Sequence, residues 1–252
     1  MKIIAMIPAR YAATRFPYKL MQSLGSKTVI RSTYDNTVAT GLFDDVFVVT
    51  DHEKIYNEIA GHGGKAIMSR AQHESGSDRI AEAVSEMDAD IVLNVQGDEP
   101  FVNRALLEKL LDVFKNDSSC EVKVASPVKR ITDPLQIADP NIVKVAVDKN
   151  MNSLLFSRSV IPFHRDENIQ PVYYEHIGIY VFRKDALMQF TQWAMTPLEA
   201  AEKIECLRYL ENGIQLRMVE TEDAGVKIDV PADLAKAEKY LEHYNNQYSP
   251  KI

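Results

Sequence analysis

In "IPARYAATRFPYKL" an apolar run ends at Pro8, and the cations Arg10, Arg15 and Lys19 follow within ten residues. Clustered side-chain charges of this kind suit a small polyanion. A nucleoside triphosphate carries about four negative charges, and one opposite charge at ~4 Å contributes about 4 kcal/mol at an effective dielectric near 20 before desolvation. The same residues also read as a solvated loop whose arginines pair with nearby carboxylates. Two carboxylates complement them. Asp98 in "QGDEP" directly follows the apolar run Ile91–Val95, where it reads as an oxygen ligand for Mg²⁺ or as the cap of a turn. Asp229 in "GVKIDVPADL" stands at an expected strand end before a helix, either closing on the same metal or favoured there by the helix dipole. Val230, at the expected N-cap, carries no capping oxygen. Asp88 and Asp90 form a D-x-D pattern, but they precede their strand and so fall at the wrong end of a sheet.

Other chemistries find little support. Neither G-x-x-x-x-G-K-[ST] nor G-x-G-x-x-G occurs, so side chains would have to hold phosphates. The six histidines lack metal-ligand spacing, no G-x-S-x-G elbow is present, and His176 reads first as a structural, hydrogen-bonded residue. Two distant cysteines, Cys120 and Cys206, make neither a disulfide framework nor a zinc site and read as small buried or half-buried thiols. A net charge of -7 argues against binding nucleic acid or an acidic membrane surface. No apolar run of membrane-spanning length occurs and Met1-Lys2 leads straight into a short strand, so a cytoplasmic location is expected.

The elements that must position these residues follow from periodicity. Short β-branched runs near 2–7, 45–49, 65–68, 90–95 and 121–127 alternate with helical patterns, the signature of βαβ units in a mostly parallel sheet with helices on both faces. After about Ser126 the rhythm changes to antiparallel-type strands, then to the helical stretches "KDALMQFTQW" and "PLEAAEKIECLRYLENG", the latter closed by Gly213. A strand "IQLRMVET" and a helix beginning at Pro231 complete the chain. In open parallel sheets ligands sit beyond the carboxyl ends of the strands, so the loops at 9–19, 69–79 and 96–100 should meet at one rim.

Taken together, "IPARYAATRFPYKL", "HESGSDRIAEA", "NVQGDEPF", "FSRSVIPFHRD", "HIGIYVF", "PLEAAEKIECLRYLENG" and "KIDVPADLAKAE" resemble, in order and over nearly the whole chain, the 3-deoxy-D-manno-octulosonate (Kdo) cytidylyltransferases. The resemblance implies a Rossmann-like α/β nucleotidyltransferase fold, a single domain over 1–252 with a sugar-binding and dimerisation subregion around 128–213, and usually a homodimer. It implies the joining of CTP and Kdo with release of pyrophosphate, for lipopolysaccharide biosynthesis. Carried over by position, Ala9, Arg10, Arg15, Lys19, Ser75, Gly76, Ser77, Arg79 and Gln96 bind the nucleotide. Arg10, Arg15, Lys19, Asp98 and Asp229 carry catalysis, and Asp98 and Asp229 hold Mg²⁺. Gln96, Arg158, His176, Tyr180 and Glu205 surround the sugar. A related acidic sugar, such as 8-amino-Kdo or a sialic-acid-like sugar, and a catalytically silent nucleotide-binding protein are the alternatives. The chain departs from the family pattern at four positions: "FPYKLM" puts Tyr18 and Leu20 where "LPGKPL" has Gly and Pro, Cys206 replaces Gln, and Val230 replaces Thr. A bulky Tyr18 is expected either to restrict the loop backbone or to cover the nucleotide.

Overall fold

The computed structural model describes residues 1–12, 16–70, 73, 75–223 and 225–248. They fall into two compact units, 1–104 with 225–252, and 105–224. The subregion expected around 128–213 lies inside the second unit.

The first unit contains β1 (Ile3–Ala9), the short pair β2 (Ser23–Leu24) and β3 (Lys27–Thr28), α1 (Val29–Ala39), β4 (Asp45–Thr50), α2 (Glu53–Ala60), β5 (Ala66–Met68), α3 (Gly76–Val84) and β6 (Ile91–Asn94). Its main sheet runs β5-β4-β1-β6, every pairing parallel. All of β6 and six of the seven residues of β1 are buried, which explains why both read as continuous apolar runs rather than alternating ones. The intervening helices are amphipathic and locally capped: Ser75 Oγ accepts from Asp78 N at 3.1 Å to start α3, which buries Ile80, Ala81 and Val84. β4 and β5 lie on one side of β1 and β6 on the other. Winding therefore reverses between β1 and β6, and the loops leaving their carboxyl ends diverge to open a crevice. At the opposite end, Asp90 accepts from Lys2 N at 2.6 Å, which leaves the D-x-D pattern away from that crevice, as expected.

α4 (Arg104–Lys115) leads into the second unit, which holds β7 (Val124–Ile131), α5 (Pro134–Ala138), β8 (Lys144–Val147), β9 (Ser153–Ser157), β10 (Tyr173–His176), β11 (Tyr180–Arg183), α6 (Lys184–Phe190), α7 (Pro197–Glu202), α8 (Leu207–Glu211) and β12 (Leu216–Thr221). β11, β7, β10, β8 and β9 pair antiparallel in that order, and β12 joins β7 in parallel. β7 begins at Val124, later than expected, because Asp117 accepts from Glu121 N and Val122 N and holds them in a turn. The expected continuous helix over "PLEAAEKIECLRYLENG" is two helices, broken where Lys203 takes a left-handed φ of 54°. Gly213 ends the second at φ 80°, as expected. Cys206 is buried, whereas Cys120 is exposed rather than half-buried. The chain returns to the first unit with α9 (Pro231–Tyr248), held there by Tyr244 OH donating to Val102 O at 3.1 Å and by Phe101 packed edge-on to Tyr240 and Tyr244.

Candidate active site

A cleft of about 330 Å³ opens in the first unit at the β1/β6 reversal, with Arg10, Phe16, Lys19, Leu20, Gln96 and Asp98 among its lining residues. Its floor comes from two close approaches. A side chain at Gly97 would meet Pro8 O at 3.0 Å, and one at Gly76 would meet the Pro8 ring at 3.3 Å. Buried Thr33 on α1 donates to Gly97 O at 2.9 Å and fixes the turn that presents Asp98. Ile228 N then donates to Asp98 O at 3.0 Å, bringing the distant Asp229 alongside. The residues before Asp229 form no strand, contrary to expectation; that backbone bond does the positioning.

Lys19 Nζ donates to Asp98 Oδ2 and, at 3.1 Å, to Asp229 Oδ1. Its ammonium thus sits between the two carboxylates expected to share a cation. Asp98 is 8% exposed, and its Oδ1 is buried without a partner among the described residues. Lys227 lies 3.7 Å from Asp229 Oδ2. Beside them, burial pushes the Glu99 carboxyl up to about 8; Lys227 opposes the shift, and the Asp98 and Asp229 charges add to it. The shift favours the uncharged form of Glu99 at neutral pH, which lessens the negative charge beside the pair. A hard divalent cation fits this donor set, with an orphaned carboxylate oxygen waiting and a site that already selects positive charge. No third His, Cys, Asp or Glu completes a ligand cluster among the described residues, so water and phosphate oxygens would fill the remaining positions, as suits Mg²⁺.

The loop expected to grip phosphate is anchored from beneath. Arg79 is 1% exposed: its Nη2 donates to Asp51 Oδ2 at 2.8 Å and its Nη1 to Ala9 O at 3.5 Å, while Asp51 Oδ1 accepts from Tyr11 N at 3.3 Å. Desolvation raises the Asp51 pKa, but the Arg79 guanidinium prevails and holds it below the ordinary carboxylate range. Arg79 thus braces Ala9 and Tyr11 instead of lining the cleft. Ser77 is likewise buried, Ser75 caps α3, and Gly76 alone of that turn lines the cleft. Arg10 lines it too, with Nη2 donating to His73 O at 2.6 Å. Arg15 lies outside the described residues.

Of the residues expected around a sugar, Gln96 belongs to the first unit, where Nε2 faces Asn94 Oδ1 at 3.5 Å. The others belong to the second. His176 and Tyr180 face one another with ring centroids 5.5 Å apart. Ser126 Oγ lies 2.7 Å from Ile179 O and 2.9 Å from His176 Nε2. One hydroxyl hydrogen serves Ile179 O, so the assigned tautomer has Nε2–H donating to Ser126 and Nδ1 as acceptor. Burial holds His176 down to about 3, so it is neutral. Burial pushes the Tyr180 phenol and the Cys206 thiol well above their usual ranges, with the Glu205 charge adding to both. Arg158 is tied elsewhere, through Nε to Glu202 O at 2.7 Å and Nη1 to Pro140 O at 2.9 Å.

The sequence model of the family described as Cytidylyltransferase matches residues 4–222. The 3-deoxy-manno-octulosonate cytidylyltransferases of Flavobacterium johnsoniae and Christiangramia forsetii are 57% and 55% identical, covering 96% and 95% of this chain and 99% and 97% of the relatives. The chain belongs to the Kdo cytidylyltransferase family. A solved CMP:2-keto-3-deoxy-manno-octonic acid synthetase complexed with CTP superimposes with a TM-score of 0.91 at 35% identity, covering 96% of this chain and 99% of that one. A 4-diphosphocytidyl-2C-methyl-D-erythritol synthase from Anaerococcus prevotii shares the fold alone, at 16% identity and a TM-score of 0.61.

Within the Kdo cytidylyltransferase pattern, three of the four departures find physical accounts; nothing in the structure explains Cys206. Tyr18 occupies a left-handed backbone position, φ 57° and ψ 26°, where glycine is unstrained and another residue costs roughly 1–2 kcal/mol. Leu20, 4% exposed, fills the space beside Gly97. At Val230 the missing capping hydroxyl is compensated by Asp233, whose Oδ2 accepts from both Val230 N at 3.1 Å and Asp229 N at 3.2 Å. Asp233 was not singled out in the sequence, although an acidic residue at the third helical position is the legible half of a capping box. Asp51 and Thr33 were missed as well, because nothing local marks a residue that braces a loop remote in sequence.

Proposed function

We propose that this chain transfers the cytidylyl group of CTP to Kdo and releases pyrophosphate, supplying the activated sugar for lipopolysaccharide biosynthesis in the cytoplasm. The observation that carries the reading is Lys19 held between Asp98 and Asp229 at the β1/β6 crevice, in a chain so similar to named Kdo cytidylyltransferases. The anomeric hydroxyl of Kdo attacks the α-phosphorus. A new P–O bond forms, the hydroxyl proton passes to solvent water, and the bond to the β-phosphate breaks with its electrons leaving on pyrophosphate. Arg10 and Lys19, with Arg15, counter the charge that develops on that leaving group. Asp98 and Asp229 would hold Mg²⁺, which when bound would lower the pKa of the attacking hydroxyl and offset charge on phosphate oxygens. The family resemblance assigns sugar contacts to Gln96 in the first unit and to Arg158, His176, Tyr180 and Glu205 in the second; Arg158 would exchange its bonds to Glu202 O and Pro140 O for the sugar, and neutral His176 and Tyr180 would add no charge beside a substrate carboxylate.

The working form is a homodimer. Support comes from apolar side chains of the second unit left in solvent, including Phe163 at 83% exposure, Ile169 and Leu154. The reaction is tested by mixing purified protein, CTP and Mg²⁺ with Kdo, 8-amino-Kdo or a sialic-acid-like sugar and following pyrophosphate. Release is expected to be fastest with Kdo and to stop when EDTA removes the metal. A higher kcat/KM for another sugar would overturn the substrate assignment, and turnover in EDTA would overturn the metal's role.

A further inference from the structure

A second feature of the phosphate loop is not used by the chemistry above. The ring of Tyr18 packs on that of Tyr11 with centroids 4.6 Å apart, and Tyr11 in turn stacks on His52 at 3.8 Å and an interplanar angle of 16°. Lys54 holds the middle ring, with Nζ donating to Tyr11 OH at 3.0 Å and lying 5.3 Å from the Tyr11 ring centroid. The His52 ring cannot turn freely, since its Nδ1 accepts from Lys54 N at 3.1 Å and so caps α2. The column therefore rests on a helix end.

Its geometry brackets the loop. Tyr11 and Tyr18 flank residues 12–17, a stretch that includes Arg15, and the cleft-lining cations Arg10 and Lys19 are their immediate outer neighbours in sequence. Contact between the two rings holds Tyr11 and Tyr18 side by side before any ligand arrives. Immediately after Tyr18 the chain enters a 3-10 turn, with Met21 N donating to Tyr18 O at 2.9 Å, which carries Lys19 toward the two carboxylates. A left-handed conformation at a bulky residue is retained only where its surroundings hold it. Here the surroundings are the aromatic column, while half of the Tyr18 residue surface remains in solvent.

We infer that Tyr18 is a positioning residue: its stack on Tyr11 clasps the two ends of the phosphate loop and presents Arg10 and Lys19 in a binding-ready arrangement for a nucleoside triphosphate. The inference rests on the proposed use of the cleft for CTP. Residues held in place beforehand, here Arg10 and Lys19 beside the ring pair, lose less conformational freedom when the ligand binds, so the clasp acts on affinity more than on the chemical step. The phenol oxygen of Tyr18 plays no part, and a bare ring suffices.

The test uses the full-length protein, Tyr18→Gly, Tyr18→Phe, Tyr11→Leu and the Tyr18→Gly/Tyr11→Leu double variant. CTP binding is measured by calorimetry with Mg²⁺, alongside steady-state kinetics with Kdo and thermal midpoints. Tyr18→Gly is expected to weaken CTP binding and raise KM about threefold to tenfold, the range of one aromatic pair, with kcat within twofold. Its thermal midpoint is expected to hold or rise, because glycine fits the left-handed position, and a loss of affinity without a loss of stability separates positioning from a merely structural role. Tyr18→Phe should match the parent, Tyr11→Leu should match Tyr18→Gly, and the double variant should be no worse than either. Unchanged CTP affinity in Tyr18→Gly, an equal loss in Tyr18→Phe, or additive losses in the double variant would each overturn the clasp. Failure of the parent protein to use Kdo while these affinity differences persist would count against the proposed sugar alone.

Discussion

At Asp98 a single side chain links the loop cations to the expected metal. Replacing it by Asn keeps the shape of the turn but removes a charge that Lys19 and a divalent cation both need. The Asp98→Asn protein is expected to release pyrophosphate at least ~100-fold more slowly at saturating Mg²⁺ when mixed with CTP and Kdo. A rate within a few-fold of the parent would remove Asp98 from the metal site. Asp233 works one step further out. Asp233→Ala deprives Asp229 N and Val230 N of their acceptor. A stability loss of about 1 kcal/mol by denaturant titration is expected, with a rightward shift in the Mg²⁺ dependence of turnover.

Among the elements, the first unit depends on the buried link between α3 and the loop after β1. Asp51→Asn would leave buried Arg79 without its partly exposed counter-charge, and a destabilisation of about 1–2 kcal/mol is expected, together with weaker CTP binding as Ala9 and Tyr11 lose their brace. In the second unit, β10 carries His176 in a setting that resists protonation. Its folded pKa, about 3, lies below the unfolded value near 6.5, so above pH ~6.5 it contributes no pH dependence. As pH falls from 6.5 toward 3 the unfolded chain takes up the proton and stability drops, by at most ~1.4 kcal/mol per pH unit. Asp117, held at about 2 by Arg183 and backbone donors against desolvation, acts in a lower window: its contribution is complete above pH ~4 and is lost toward pH 2. Chemical denaturation across pH should show His176→Gln flattening the upper window and leaving the lower one intact.

For the whole molecule, the exposed apolar side chains of the second unit favour self-association, and light scattering is expected to give about twice the 28.5 kDa monomer mass. Among the described residues no helix is long and apolar enough to cross a membrane. Much of this organisation was legible because buried parallel strands announce themselves as apolar runs, and the rule that ligands sit beyond strand carboxyl ends ranked Asp98 above the Asp88/Asp90 decoy. Local pattern could not show that Arg79 faces inward to Asp51, that Lys203 breaks a helix by turning left-handed, or that a backbone bond to Asp98 replaces a strand before Asp229. The first and the last of these depend on partners far away in the sequence. Tyr18 stood out as a departure, but its meaning required the stack on Tyr11 and His52, which only the folded loop brings together. The central claim is cytidylyl transfer to Kdo, and phosphorus NMR of protein, Mg²⁺, CTP and Kdo in one tube tests it most directly. The three CTP resonances should give way to pyrophosphate and a single phosphodiester signal in equal molar amounts, whereas unchanged CTP, or its hydrolysis without a new diester, would contradict the account.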